Sequence, residues 1–214
     1  MPRKISKQST NTSLSSTSST GPIPASLSFS RASILTDGRP LPRAVVFDLD
    51  YTLWPFWVDT HVSAPLKVAN AGHSAAVDKV GETFALYRDV PATLHALALA
   101  GIRLGVASRT YAPDLARDLL KLLHVPGANK DKPRKAIDFF DAGLEIYPSS
   151  KVRHFEALHK RTGIPYADML FFDDESRNRD TEALGLTMWL VRDGVTWTEV
   201  ENGIREWRRR RGVE

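Results

Sequence analysis

Two aspartates stand two residues apart in the run Asp48-Leu49-Asp50-Tyr51-Thr52, directly after the apolar stretch Ala44-Val45-Val46-Phe47. If the chain turns there, both carboxylates face one cavity. Two acids so placed need a cation or a shared proton, because their mutual repulsion is costly. A bare Asp-x-Asp is more often a loop with an aspartate helix cap. The apolar strand before it and Thr52 after it favour the reactive reading. Ser108-Arg109-Thr110 ends a second apolar stretch. A hydroxyl and free backbone N–H groups at such a place can hold phosphate oxygens, although Ser and Thr there are usually caps. Lys151 begins a helix, where its charge opposes the helix dipole. Neutralising a phosphate would explain it; alone, it would read as a solvated lysine. Asp173-Asp174-Glu175 follows Leu170-Phe171-Phe172. Hard divalent cations seek such oxygens, and Mg²⁺ takes one or two carboxylates plus waters and substrate phosphate. The chain has no cysteine and no histidine cluster near these acids, so an oxygen-ligated metal is favoured over zinc.

Each cluster needs an element to hold it. Ala44–Phe47 reads as a short strand. Asp89-Val90-Pro91 opens a helix, with proline near its first position, and Gly101 closes it. Ile102–Ala107 is a second strand. Leu115, Leu119 and Leu122 then recur at helical spacing. Residues 125–136 read as a loop rich in Pro, Gly and Lys. Gly143–Tyr147 is a third strand, and Ser149-Ser150 caps a helix that Gly163 ends. Met169–Phe172 and Thr187–Val191 are further strands, and Val200, Ile204 and Trp207 mark a last helix. Alternating strands and helices imply an α/β fold: a mostly parallel, Rossmann-like sheet with helices on both faces. Such sheets place their chemistry beyond the carboxyl ends of the strands, where all four clusters fall. Only 59 residues separate Asp48 from Ser108. That span has room for a small flap between about Trp57 and Arg88, not for a large cap domain.

The 214 residues suit one ordinary domain, and 42% of them are hydrophobic, as in a soluble globular protein. No apolar run approaches a membrane span, so no membrane association is expected. The lack of cysteine fits a reducing compartment; a cytoplasmic location is expected, with nucleus and mitochondrion left open. Residues 1–40 hold five basic residues and one acid, which accounts for the whole net charge of +4. The other 174 residues carry 24 bases and 24 acids. The basic balance therefore belongs to the tail, and no nucleic-acid partner is expected. Fourteen of the first 30 residues are Ser or Thr, too polar a stretch to offset its ordering entropy. Residues 1–38 are expected to be a disordered tail and 39–214 the catalytic domain, with a transit peptide as the minority reading of the tail. His61 and His73 read as flap residues. Trp54 and Trp57 read as a substrate entrance or as core, and Arg208–Arg211 as a solvated helix end.

Taken together, the four clusters resemble those of the haloacid dehalogenase (HAD) superfamily. Val46-Phe47-Asp48-Leu49-Asp50-Tyr51-Thr52-Leu53-Trp54-Pro55-Phe56-Trp57 closely resembles its magnesium-dependent phosphatase type-one family. Ala107–Thr110, Ile146–Lys151 and Phe171–Glu175 are similar to that family as well, and the resemblance spans about residues 42–211. Tyr51, where most of the superfamily has glycine, is shared with the type-one family; the long tail and the 125–136 loop are departures. The resemblance implies a HAD-like domain and a Mg²⁺-dependent phosphomonoester hydrolase. Asp48 would be the nucleophile, forming an aspartyl-phosphate, and Asp50 the general acid and base. Ser108, Arg109 and Lys151 would hold the phosphate, with Thr52 and Arg109 supporting the loops. Asp48, the main chain of Asp50 and Asp173 would hold the metal, with Asp174 the alternative to Asp173 or its support. The implied substrate is a phosphorylated small molecule or a phosphoprotein, phosphotyrosine proteins and phosphorylated sugar adducts on protein amines among them. A dehalogenase would share the nucleophile but has no leaving oxygen to protonate, and Asp50 argues against it. A non-catalytic binding protein on this fold would be marked by loss of Asp48, which is present.

Overall fold

The computed structural model describes residues 33–127 and 132–213. One helical turn, α1 (Ser33–Thr36), precedes β1 (Ala44–Phe47). Next come α2 (Val58–His61), the short strands β2 (Lys67–Val68), β3 (Ala76–Val77) and β4 (Thr83–Phe84), and α3 (Val90–Leu99). β5 (Arg103–Ser108), α4 (Pro113–Leu122), β6 (His124–Val125), β7 (Arg134–Lys135) and β8 (Gly143–Ile146) follow. The chain then forms α5 (Lys151–Thr162), β9 (Met169–Asp173), β10 (Thr187–Leu190) and α6 (Trp197–Arg211).

Five strands make one parallel sheet in the order β10-β9-β1-β5-β8. Its central strand sorts side chains by the two-residue period of a pleated chain. Val45 and Phe47 join the core beneath α3, α4 and α6, while Ala44 and Val46 join the core beneath α5. Phe47 stacks on Phe172 of the neighbouring strand at 5.4 Å, both fully buried. Burial of such rings contributes roughly 1.5–3 kcal/mol each. α5 begins as its sequence requires: the Ser150 hydroxyl accepts from the Arg153 N–H at 3.3 Å. It ends at Gly163, in the left-handed region at φ 67°.

Between β1 and α3 the chain makes only a small antiparallel flap, β2–β3–β4, two residues to a strand. Asp78 pins it, accepting main-chain N–H groups of Ser63, Val80 and Glu82 at 2.9–3.0 Å. His61 belongs to α2, whereas His73 lies in the flap and stacks on His124 with ring centroids 4.1 Å apart. Among the described residues no helix is long and apolar enough to cross a membrane.

Three expectations change. Of the tail expected over 1–38, residues 1–32 lie outside the described residues, but 33–38 pack onto the body: Ile34 is buried and Asp37 pairs with Arg208 at 2.6 Å. The Arg208–Arg211 run is accordingly not a plain solvated helix end, since Arg208 is only 3% exposed. Its guanidinium donates to Asp37 and to the carbonyls of Ile34, Arg39 and Pro40. Finally, the expected 125–136 loop is flanked by strand pairing of β6 with β7, after which Ala136–Phe139 forms a 3-10 turn. Nothing in the sequence reading anticipated the 3-10 segment Ser176–Leu184.

Candidate active site

The site begins where β1 stops. The Asp48 N–H still donates to the Phe172 carbonyl of β9 at 2.9 Å, so its backbone belongs to the sheet. The chain then folds back, and Leu53 N–H reaches the Leu49 carbonyl at 2.8 Å. Tyr51 takes φ 52° in this turn. That left-handed conformation suits glycine and costs a bulky residue energy, which explains why a glycine would be the ordinary choice there. Thr52 supports the turn through its main chain: its N–H donates to Leu49 and its carbonyl accepts from Val195. Its buried hydroxyl has no partner among the described residues.

Lys151, the first residue of α5, is 2% exposed. Its ammonium lies 2.6 Å from Asp48 Oδ1 and 3.0 Å from Asp173 Oδ2, and donates to the Ala107 carbonyl at 2.5 Å. Three acceptors match the three N–H bonds of an ammonium, which answers why a lysine sits against the dipole. Burial works to lower the Lys151 pKa, but the two carboxylates outweigh it and hold the proton on. For Asp48, burial raises the carboxyl while Lys151 draws it down, and Asp173 and Asp50 add repulsion.

Asp50 is fixed through one oxygen. Oδ1 accepts the Trp54 indole N–H at 2.7 Å and the Val58 N–H at 3.2 Å. Burial lifts this carboxyl to about 6, against the pull of those donors. Trp54 is completely buried, so of the two tryptophans it is core. Trp57 is half exposed and borders the cleft. Trp54 also holds Asp50, a contact that neither reading of it, as entrance or as core, had named; its four-residue offset from Asp50 was the available signal.

The two consecutive aspartates part company. Asp173 is fully buried and accepts from Asn178 Nδ2 at 2.9 Å on both oxygens and from the Glu175 N–H at 2.7 Å. With Lys151 added, its carboxylate is engaged on every side. Asp174 lines the open cleft instead, together with Asp48, Asp50, Ser108, Arg109 and Lys151. Burial, reinforced by the Asp173 charge, lifts Asp174 to about 6. Ser108 is buried at the end of β5, and Arg109 reaches across to Asn178 Oδ1 at 3.4 Å. Asn178, on the unanticipated 3-10 segment, ties the Ser108 loop to the acidic loop.

Asp48, Asp173 and Asp174 each offer an oxygen within 4.8 Å of the others. Around Mg²⁺, with oxygens at 2.0–2.1 Å, neighbouring ligands stand about 2.9 Å and opposite ones about 4.2 Å apart. Small side-chain adjustments meet that geometry, and a cation would offset the burial and the mutual repulsion that raise Asp48 and Asp174. The residues present therefore fit the ion.

The parallel sheet thus gathers a lysine-paired aspartate, a second aspartate and a hydroxyl at its carboxyl edge. Residues 40–210 match the family model described as Acid Phosphatase. A HAD-like hydrolase superfamily protein of Schizosaccharomyces pombe is 47% identical over 68% of this chain and 83% of its own length. Human magnesium-dependent phosphatase 1 is 41% identical over 77% of this chain and 86% of its own. A solved HAD-superfamily hydrolase from Ehrlichia chaffeensis aligns with a TM-score of 0.49 at 13% identity, covering 78% of this chain and 98% of that one. The chain belongs to the acid phosphatase family, among the HAD-superfamily phosphatases.

Proposed function

We propose that this phosphatase hydrolyses phosphate monoesters through an aspartyl-phosphate on Asp48, with Mg²⁺ as its cofactor. What carries the reading is the Asp48–Lys151 contact at 2.6 Å inside a cleft where Asp50 has its carboxyl raised to about 6. Asp48 attacks phosphorus through its cleft-facing oxygen while Lys151 holds the other. As the bond to the leaving oxygen breaks, Asp50 gives that oxygen a proton through Oδ2, because Oδ1 is occupied by Trp54 and Val58. Asp50 then takes a proton from water. The water oxygen bonds to phosphorus, the Asp48–phosphorus bond breaks, and phosphate leaves. Ser108, Arg109 and Lys151 offset the charge on the transferring oxygens.

Asp48, the Asp50 carbonyl and Asp174 would hold Mg²⁺, which supplies positive charge to the phosphoryl oxygens. Asp174 is preferred to Asp173 because it faces the cleft, while the Asp173 carboxylate is already bound by Asn178, Glu175 and Lys151. Among the described residues only the small β2–β3–β4 flap stands where a cap would, which supports access by bulky substrates, phosphotyrosine proteins or phosphorylated sugar adducts on protein.

Asp48→Asn is expected to reduce kcat by on the order of 10⁴-fold or more for every substrate. Asp50→Asn is expected to slow alkyl phosphates by about 10²–10⁴-fold and p-nitrophenyl phosphate far less, because nitrophenolate leaves without a proton. Phosphoenzyme then accumulates and is visible by intact-protein mass. Turnover by Asp48→Asn, or in excess chelator, sinks the mechanism; equal losses on both substrates with Mg²⁺ affinity intact remove Asp50 from its role.

A further inference from the structure

The turn that carries Asp50 is tied to the rest of the molecule at two points. The Thr52 carbonyl accepts the Val195 N–H and the Leu53 carbonyl accepts the Tyr87 N–H, each at 2.9 Å. Val195 belongs to the loop between β10 and α6, and Tyr87 lies just before α3. The two donor segments also meet each other. Asp89 accepts the Trp197 N–H at 3.2 Å, and the Tyr87 ring lies directly against Gly194. A Cβ at Gly194 would collide with three atoms of that ring, and Gly194 takes φ 72°. Glycine meets both demands, so the seat for the ring depends on the residue at position 194.

Tyr51 holds the turn in the left-handed region at φ 52°. Such a conformation persists only where its surroundings over-determine it. The Thr52–Val195 bond is part of that restraint, and it is only as fixed as the loop that donates it. Arg192 and Asp193 of that loop are exposed, whereas Gly194 and Val195 are buried with the Tyr87 ring beside them. Burial raises the Tyr87 phenol, and Asp193, Tyr51 and Asp174 add to it, so the tip of the ring lies toward the acidic end of the cleft. Yet Tyr87 is not among the side chains that line that cleft; it stands behind them. The demand on the turn is strict, because a proton passes from Asp50 only within hydrogen-bond reach, and a misplacement of about 1 Å can cost on the order of 10²-fold.

We propose that Tyr87 is a positioning residue: its ring, seated on Gly194, holds the Val195 N–H on the Thr52 carbonyl and so keeps Asp50 aligned with the leaving oxygen. The inference rests on the phosphatase reading above. Tyr87 acts through the turn and not on the reacting atoms.

The test uses the full chain at saturating Mg²⁺, with glycerol phosphate as substrate. Tyr87→Ala is expected to lower kcat about tenfold with KM changed less than about twofold. Tyr87→Phe keeps the ring and is expected to recover most of the rate. Gly194→Ala displaces the ring and is expected to lose as much as Tyr87→Ala, and the double variant no more than either alone, because both remove one contact. Exchange of the Val195 amide, followed by NMR, reads the clamp without turnover: about tenfold faster or more in Tyr87→Ala, and as in the parent in Tyr87→Phe. If Tyr87→Ala does not fold, Tyr87→Leu takes its place with losses in the same direction. An unchanged kcat, losses that add in the double variant, or Val195 exchange that stays at the parent rate overturns the proposal. Turnover that survives Asp48→Asn overturns the phosphatase reading instead, and the Val195 exchange still decides the clamp.

Discussion

Among the described residues one lysine and one arginine are buried, and they are buried in opposite ways. Lys151 starts α5, at the positive end of the helix dipole, and Arg208 lies in the last turn of α6, at the negative end. Arg208 spreads its donors over one carboxylate and three carbonyls, an arrangement in which each donor finds an acceptor and Asp37 is held below its usual range. Lys151 gathers two carboxylates, with Asp50 and Asp174 crowding the same cleft. The first is a satisfied anchor. The second is a negatively charged cluster that a cation or a phosphate can still change. Burial alone does not distinguish structure from function; the charge left over around the buried group does.

That contrast is open to direct attack. The largest effect is expected at Lys151. Lys151→Met is expected to lower kcat by about 10²–10³-fold, and to destabilise the fold by about 2–4 kcal/mol as two buried carboxylates lose their partner. Mg²⁺ is expected to recover much of the stability and none of the rate. Arg208→Met is expected to cost about 2–3 kcal/mol through unpaired carbonyls while leaving kcat of the folded protein unchanged, with no recovery by Mg²⁺. Urea melts with and without the ion, alongside steady-state rates, decide; a Mg²⁺ rescue of Arg208→Met would erase the distinction.

Asn178 sharpens it. Asn178→Leu removes the amide that holds both oxygens of Asp173, and is expected to cost about 1–2 kcal/mol and to lower kcat/KM about tenfold as Lys151 loses its aligned partner. An unchanged rate would mean that Asp173 needs no such holding.

The smallest effect concerns His154, one turn after Lys151 and fully buried. Burial, helped by the Lys151 charge, lowers its pKa to about 4. The unfolded chain takes up this proton below about pH 6.5 and the folded chain does not, so the group removes stability as pH falls from about 6.5 towards 4. Asp50 and Asp174, both raised to about 6, work in the opposite direction over the same range. The variant isolates the histidine: His154→Gln is expected to be more stable relative to the parent at pH 5 than at pH 7.5, by about 1 kcal/mol after allowance for solvent screening. A constant difference across that range would contradict the assignment.

Most of the sheet was legible because each strand is an apolar run that stops at a polar cluster. Asp48, Ser108 and Asp173 mark three such stops. The choice between Asp173 and Asp174 was not legible. Neighbouring residues leave a strand on opposite sides, and which side is the cleft depends on Asn178 and Lys151, which come from other elements. The role of Arg208 was hidden for the same reason, since two of its partners, Ile34 and Asp37, lie in a segment that looked like tail. Trp54 illustrates a third limit. Its apolar body belongs to the core, and only its indole N–H speaks to Asp50. Side-chain type told of the body and not of the tip.

The clasp between Arg208 and Asp37 spans 171 positions of sequence. On a ribosome adding roughly 5–20 residues per second, about ten to thirty seconds separate the two halves of that contact. Through that interval Ile34 and the carbonyls around it have no guanidinium to meet. The segment leading into β1 is made first and sealed last, so the nascent chain passes through a state in which the catalytic strands are all present and the domain's own latch is still being written.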